Sequence, residues 1–163
     1  MSLFGALPED FLHFVWRTLN FDLKDLRTQE GDAIQILRPG RHNHGQGPDF
    51  LEASVRIGTV IWHGQVEIHT QGEDWFRHKH QDDAHYNATI LHIVLNPGKR
   101  PALRQDGSPI PELVLKGRIN EAVISRYTQL QLSGNSIPCE SLLSGVEPFH
   151  RNQWIQRLAI ERM

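Results

Sequence analysis

The apolar run ATILHIVL, from Ala88 to Leu95, is the feature that most constrains the fold of this chain. All but two of its side chains are apolar, and several are β-branched, a combination typical of a buried strand. A strand without a solvated polar face belongs inside a sheet that other elements cover on both sides. The run therefore favours an α/β or mixed α+β fold with a central mixed sheet flanked by helices.

The segments before this strand predict the other elements of the sheet. LPEDFLHFVWRTLNF predicts a first helix, because Pro8 suits the first helical position and two acidic residues follow it. LKDLRT and AIQIL predict two short strands, and the Gly- and His-rich segment RHNHGQGPDF predicts a loop. LEASVRI and VIWHGQVEIH predict a hairpin that turns at Gly58 and Thr59. A short helix is then expected within GEDWFRHKHQDDAHYN.

The C-terminal part predicts an extra hairpin and two further helices. The hairpin is expected around Asp106 and Gly107, and INEAVISRYTQLQL predicts an amphipathic helix. We expect residues 1–132 to form one α/β domain, and residues 133–163 to form a linker and the start of a helical region. The last helix has no stop signal. We therefore expect a longer protein, or another subunit, to cover its apolar face.

Charge and composition exclude several classes of protein. The formal net charge is −2, which argues against a strongly basic nucleic-acid binder but leaves room for a local basic groove. The chain has no apolar run of about 18 residues and no secretory signal, so we expect no membrane span. Cys139 is the only cysteine, which rules out a disulfide within the chain and predicts a cytoplasmic location.

Histidine is the unusual component of this composition. The chain has 10 histidines, and most of them fall between His42 and His92. Histidine is the commonest metal ligand and the side chain that exchanges protons near neutral pH. This clustering predicts a metal-dependent site.

The strand HGQVEIH predicts which side chains meet in that site. Side chains alternate across a strand, so Glu67 and His69 share one face while Val66 and Ile68 face the core. If the hairpin pairs around Gly58, Asp49 approaches the end of the strand that carries His69. Two carboxylates suit Mg²⁺ or Mn²⁺, and an added imidazole shifts the preference toward Mn²⁺, Ni²⁺ or Zn²⁺. We expect Asp49 and Glu67 to be metal ligands, with Mg²⁺ or Mn²⁺ ahead of Zn²⁺ or Ni²⁺.

The motifs at these positions resemble those of a known superfamily. The order helix, strand, strand with PD, strand with ExK, helix, strand is similar to the core of the PD-(D/E)XK nucleases, from about Leu7 to Leu95. Pro48-Asp49 matches the PD element, and Glu67-Ile68-His69 matches ExK with histidine in place of lysine. The resemblance implies a restriction-endonuclease-like core and a catalytic set of Asp49, Glu67 and His69. Histidine, unlike lysine, can lose its charge and offer a lone pair.

The chain also resembles an uncharacterised bacterial family, a domain of unknown function, in which a longer pattern recurs. The pattern joins HN…GPDF, VEIH, DW..H.H..D..Y and ILHIV. The resemblance adds His42, His78, His80, Asp83 and His92 as candidate site residues. On a continuous helix His78 shares a face with Asp82 and His85, and His80 points elsewhere. His92 is interpreted either as a hydrogen-bonded core residue or as a site residue.

Together these features predict a metal-dependent phosphodiesterase or nuclease that acts on DNA or RNA. Two alternatives stay open. The first is a catalytically inactive module of the same fold that binds nucleic acid or serves as a scaffold. The second is a His-rich metal-binding domain of unrelated fold, which needs three or more histidines around one ion.

Overall fold

The computed structural model describes residues 7–132 and 140–161 of the chain. The predicted linker around Cys139 lies outside the described residues. The chain divides into two compact units, Met1–Val123 and Ile124–Met163. The predicted domain boundary after residue 132 stays a prediction.

Within the first unit, the described residues form a six-stranded mixed sheet. The strand order is β1-β3-β4-β5-β6, with β2 paired to β3. The first four strands pair antiparallel, whereas β4, β5 and β6 run parallel to one another. The strands are β1 (Ile34–Arg38), β2 (Arg41–His42), β3 (Phe50–Ile57), β4 (Val60–Gln71), β5 (Thr89–Asn96) and β6 (Glu112–Val114). The prediction of a mixed sheet is confirmed.

Within the first unit, helices α1 and α2 pack against β4 of this sheet. Helix α1 buries one apolar stripe, which includes Phe11, Leu12 and Val15, and contacts β4. Helix α2 is a single turn, and two 3₁₀ turns, His80–Asp82 and Ala84–Tyr86, follow it. None of the described helices is long and apolar enough to cross a membrane. The α-helices are α1 (Glu9–Arg17), α2 (Asp74–Arg77), α3 (Glu121–Leu132) and α4 (Pro148–Glu161).

Strand β5 is the buried strand that the sequence predicts. Every residue from Thr89 to Leu95 is buried, because β4 and β6 occupy both edges and other elements cover both faces. The β3–β4 hairpin turns at Gly58 and Thr59, as predicted, and Gly58 has a φ of 58° that glycine tolerates. In β4, polar and apolar side chains are both buried from Val66 to His69. The half of β4 that carries Glu67 and His69 is therefore enclosed on both faces.

Two predicted elements differ from the structure. The segment LKDLRT contributes one isolated bridge, Arg27 to Ala33, instead of a strand. Asp25 there has a φ of 47°, which breaks the extended path of the chain. The hairpin expected around Asp106 is only a turn closed by a single bridge from Leu103 to Pro109. Two backbone hydrogen bonds flank this bridge, from the Arg104 N–H to Ser108 and from the Ile110 N–H to Ala102, and no further strand pairing follows among the described residues.

Candidate metal centre

The enclosed end of β4 places a carboxylate and an imidazole side by side. Glu67 and His69 lie two residues apart on one strand face, and both are buried. The His69 Nε2 atom is 3.5 Å from the Glu67 Oε1 atom. The two side chains are neighbours, as predicted, because side chains alternate along the strand.

Two further imidazoles reach the same point from the segment that follows α2. His78 and His80 flank Lys79, which has a left-handed backbone with a φ of 62°. This turn ends α2 and starts the next 3₁₀ turn, so the two histidines do not follow one continuous helix. The prediction that His80 points away from His78 is wrong for this reason. The ligand atoms of His69, His78 and His80 all lie within 4.8 Å of one another.

The distances within this group match the spacing of donor atoms around one ion. A tetrahedral ion with ligand distances of about 2.0–2.1 Å holds neighbouring donor atoms about 3.3–3.4 Å apart. His69 Nε2 lies 3.2 Å from His78 Nδ1, and His80 Nε2 lies 3.3 Å from Glu67 Oε1. His80 Nε2 is buried and makes no hydrogen bond, despite that short distance. Glu67 lies 3.3–3.5 Å from two of these imidazoles but outside the three-histidine group, so it is a further candidate ligand beside that group.

The titration of these groups follows from their enclosure. Burial, and after it the nearby charge of Asp49, raise the pKa of Glu67 to about 9. Burial and the surrounding imidazoles lower the pKa of His69 to about 2. Burial also lowers the pKa of His80. His69 and His80 are therefore neutral donors at physiological pH, the form in which histidine binds metal ions.

Asp49 lies beside the cluster, and two hydrogen bonds that involve backbone N–H groups link it to β4. Its N–H donates to Glu67 Oε2 at 3.0 Å, and its Oδ2 atom accepts from the Ile68 N–H at 2.9 Å. A bulge in β3 just after Phe50 disturbs the strand at this point. The predicted approach of Asp49 to Glu67 is present, although it is the Asp49 backbone N–H that bonds Glu67, while the Asp49 carboxylate accepts from the Ile68 N–H.

Helix α1 contributes two side chains that the sequence analysis does not single out. Glu9 and His13 are four residues apart and share one face of the helix. Burial, followed by repulsion from Asp49, raises the pKa of the half-buried Glu9. His13 Nε2 lies 3.2 Å from Asp49 Oδ2. Burial opposes the charge on His13, but the Asp49 carboxylate outweighs it and raises the pKa of His13.

A buried chain of polar side chains lies behind His69, away from the other imidazoles. His69 Nδ1 is 2.9 Å from His92 Nε2, and His92 Nδ1 is 3.0 Å from Glu112 Oε2. Gln29 Nε2 donates to the other oxygen of Glu112. His92 is thus both a hydrogen-bonded core residue and a neighbour of the site.

Two of the predicted candidates lie outside the three-histidine group. His42 packs its ring against His13, His44 and Phe50, with centroids 4.5–5.1 Å from those of His13 and His44. Asp83 accepts from the backbone N–H of His85 and pairs with the ring of the same residue at 2.8 Å. It therefore caps the second 3₁₀ turn, Ala84–Tyr86.

The face of the sheet that carries Glu67 continues along β4 as a polar strip toward the hairpin. By alternation, His63 and Gln65 lie on this face. Ser54 Oγ is 2.8 Å from His63 Nδ1 and 3.5 Å from the guanidinium of Arg38. Arg56 donates to Gln35, and within the described chain neither Arg56 nor Arg38 forms an ion pair with a carboxylate. The strip (Arg38, Arg56, His63 and Gln65) therefore carries net positive charge.

Comparison with known proteins places the chain in a family. Residues 9–163 match the family described as Protein of unknown function (DUF2851), and the chain belongs to it. No curated protein and no solved structure matches the chain.

Proposed function

We propose that this member of the DUF2851 family is a metal-dependent phosphodiesterase that cleaves nucleic acid. The observation that carries the proposal is the convergence of three imidazoles, from His69, His78 and His80, beside the buried carboxylate of Glu67. A buried Glu67 with a raised pKa costs folding energy as an anion, and a cation at this point offsets that cost. A metal ion therefore accounts for both the spacing and the burial of these groups.

The donor set favours a transition metal. Carboxylate oxygens alone favour Mg²⁺, but imidazole nitrogens favour Zn²⁺ and its neighbours in the first transition series. Three nitrogen donors and one oxygen donor lead us to propose Zn²⁺ first and Mn²⁺ second. This order differs from the preference that the sequence alone suggests, because His78 and His80 join His69 in the cluster.

A bound ion would supply a Lewis acid that polarises a phosphoryl oxygen and lowers the pKa of a coordinated water. The side chains around it have separate tasks in the proposal. His69, His78, His80 and Glu67 would hold the ion, which would expand to five-coordinate to take a water or a phosphoryl oxygen. His13, whose pKa is raised by Asp49, carries a proton on Nε2 that can be transferred to a leaving oxygen. Asp49 orients His13 and links it to the strand that carries Glu67.

Two features support nucleic acid as the substrate. The first is the resemblance of the sequence to the PD-(D/E)XK nucleases, with which the order of α1, the antiparallel strands, α2 and β5 is compatible. The second is the polar strip, whose two arginines lie on the same sheet face as Glu67. His63 lies four residues from Glu67 along β4, or about 13 Å at roughly 3.3 Å per residue. The strip is thus placed to bind the phosphates of a chain whose scissile bond lies at the metal centre.

Metal content tests the proposal directly. The purified protein is analysed for bound metal by mass spectrometry and titrated with Zn²⁺ and Mn²⁺ by calorimetry after treatment with chelator. We expect one tightly bound ion per chain, and an affinity loss of more than about 100-fold for His80→Ala. His85→Ala is the matched control, because this histidine is exposed and lies outside the cluster. Equal binding by the wild type and His80→Ala would refute the centre.

Cleavage is measured on single-stranded DNA, duplex DNA and RNA with each metal. Wild-type turnover that disappears in Glu67→Ala and survives in His85→Ala supports the phosphodiesterase. A substrate that is bound but never cut, with the metal in place, supports the second function instead.

That second function is metal-dependent binding of nucleic acid without cleavage. One observation favours it: His69 occupies the position of the superfamily lysine, yet its lowered pKa keeps it neutral. The permanent positive charge that the resemblance assigns to this position is therefore missing. A gel-shift assay in which Zn²⁺ strengthens binding at least tenfold, with no product formed, would identify this function.

A further inference from the structure

The hydrogen-bond chain behind His69 determines which of its nitrogens can bind a metal. Glu112, His92 and His69 are each at most 2% exposed, so water does not compete for their polar atoms. The parallel register places His92 directly opposite Glu67 on one side and Glu112 on the other. The chain of contacts thus runs across three adjacent strands, from β6 to β4.

An ionised Glu112 sets the direction of the protons in this chain. A carboxylate only accepts hydrogen bonds, and Glu112 accepts from Gln29 and from His92 Nδ1. His92 therefore carries its proton on Nδ1 and offers a lone pair on Nε2. That lone pair accepts from His69 Nδ1, which must carry a proton. The lone pair of His69 is consequently left on Nε2, the atom that faces His78 and Glu67.

The opposite arrangement requires a neutral Glu112. If His69 carried its proton on Nε2, His92 would have to donate from Nε2 and accept at Nδ1. Glu112 would then have to be the donor, as a neutral acid. A proton on His69 Nε2 would also occupy the position that a metal ion needs.

We propose that Glu112 and His92 are positioning residues that hold His69 in its Nδ1–H tautomer and so set the metal affinity of the centre. This inference rests on the proposed function for its metal, whereas the tautomer is a property of the metal-free protein. Neither residue touches the ion. Glu112 acts on the ion through two imidazole rings. The hydrogen bonds polarise these rings, which makes the His69 Nε2 atom a stronger electron-pair donor to the ion.

Glu112→Gln tests the proposal with the smallest change in shape. The amide can turn its NH₂ toward His92 Nδ1 and donate to it, which reverses the tautomers of both histidines. We expect the dissociation constant for Zn²⁺ to rise roughly 10- to 100-fold. Glu30→Gln is the control, since Glu30 is exposed and close in sequence to Gln29. Unchanged zinc affinity in folded Glu112→Gln would overturn the proposal.

Histidine nitrogen NMR on the metal-free wild type provides a second measurement that needs no variant. We expect the signals of His69 and His92 to show protonated Nδ1 and unprotonated Nε2. A protonated Nε2 on His69 would overturn the inference even if the protein binds zinc. A wild type that binds no metal but shows the expected tautomers would refute the proposed function alone.

Discussion

The backbone of Lys79 helps to bring together the histidines of the proposed metal centre. Its left-handed conformation, with a φ of 62°, lies between the two histidines that follow α2. A non-glycine residue there is strained by about 1–2 kcal/mol, so the surrounding structure must maintain it. The sequence predicts the candidates His78 and His80 but treats them as helical neighbours. No local pattern in HKH predicts a left-handed residue, so the approach of His78 and His80 to each other could not be predicted.

Substitutions of Lys79 separate its backbone from its charge. We expect Lys79→Gly to keep zinc affinity within about twofold and to stabilise the fold by about 1 kcal/mol, because glycine adopts this φ freely. A β-branched residue is disfavoured at positive φ, so Lys79→Val should weaken zinc binding at least tenfold. Calorimetric titration and thermal melts measure both effects. Lys79→Ala removes the charged side chain beyond Cβ without adding a β-branch, and a zinc affinity as low as that of the valine variant would argue against a backbone role.

At the scale of the element, β4 joins the proposed metal centre to the polar strip. Its alternation is visible in VIWHGQVEIH, so the pairing of Glu67 with His69 could be predicted from spacing alone. Its parallel pairing with β5 could not, because the partner strand is chosen by contacts between distant parts of the chain. Glu112 on β6 escaped prediction for the same reason. Nothing in PELVL indicates that a buried carboxylate faces His92.

The strip on β4 and its neighbours predicts a charge effect that is independent of the metal. Arg38→Glu with Arg56→Glu should weaken binding of a 20-nucleotide single strand at least tenfold at low salt, because two phosphate contacts become repulsive. Lys24→Glu with Lys116→Glu changes the net charge equally, at exposed positions outside the strip. Fluorescence anisotropy measures both affinities.

Zinc affinity should stay unchanged in both double variants. Equal loss of nucleic-acid binding in the two would show that only the net charge matters and would contradict a role for the strip.

For the whole molecule, the buried carboxylate of Glu67 couples folding to pH. Its pKa rises from an ordinary value of 4.5 to about 9, so folding favours its protonated form. The stability that this gives is complete below about pH 4.5 and is lost as the pH rises through about 9. A bound cation reverses the preference, because it stabilises the ionised carboxylate.

Thermal melts at pH 7 and pH 9, which both lie above the ordinary pKa of histidine, test this coupling. The metal-free protein should become less stable over this interval, and the rise in Tm on adding zinc should grow. At about 100-fold excess over the dissociation constant, we expect the rise to reach roughly 5–10 °C. Glu67→Gln should remove most of the pH dependence. A zinc-induced rise that is the same at both pH values in the wild type would contradict the coupling.

The ligands of the proposed centre all lie between positions 67 and 80, whereas Glu112 enters from β6. Closing so short a loop costs little entropy, so an incomplete chain emerging from the ribosome can already gather its donors around an ion. His92 comes into position behind His69 only when β5 adds to the sheet, and Glu112 only when β6 adds to it. Tight binding of the ion would therefore require that β6 has been synthesised and has joined the sheet. Weak binding of the ion would come before assembly of the sheet, and tight binding would follow it.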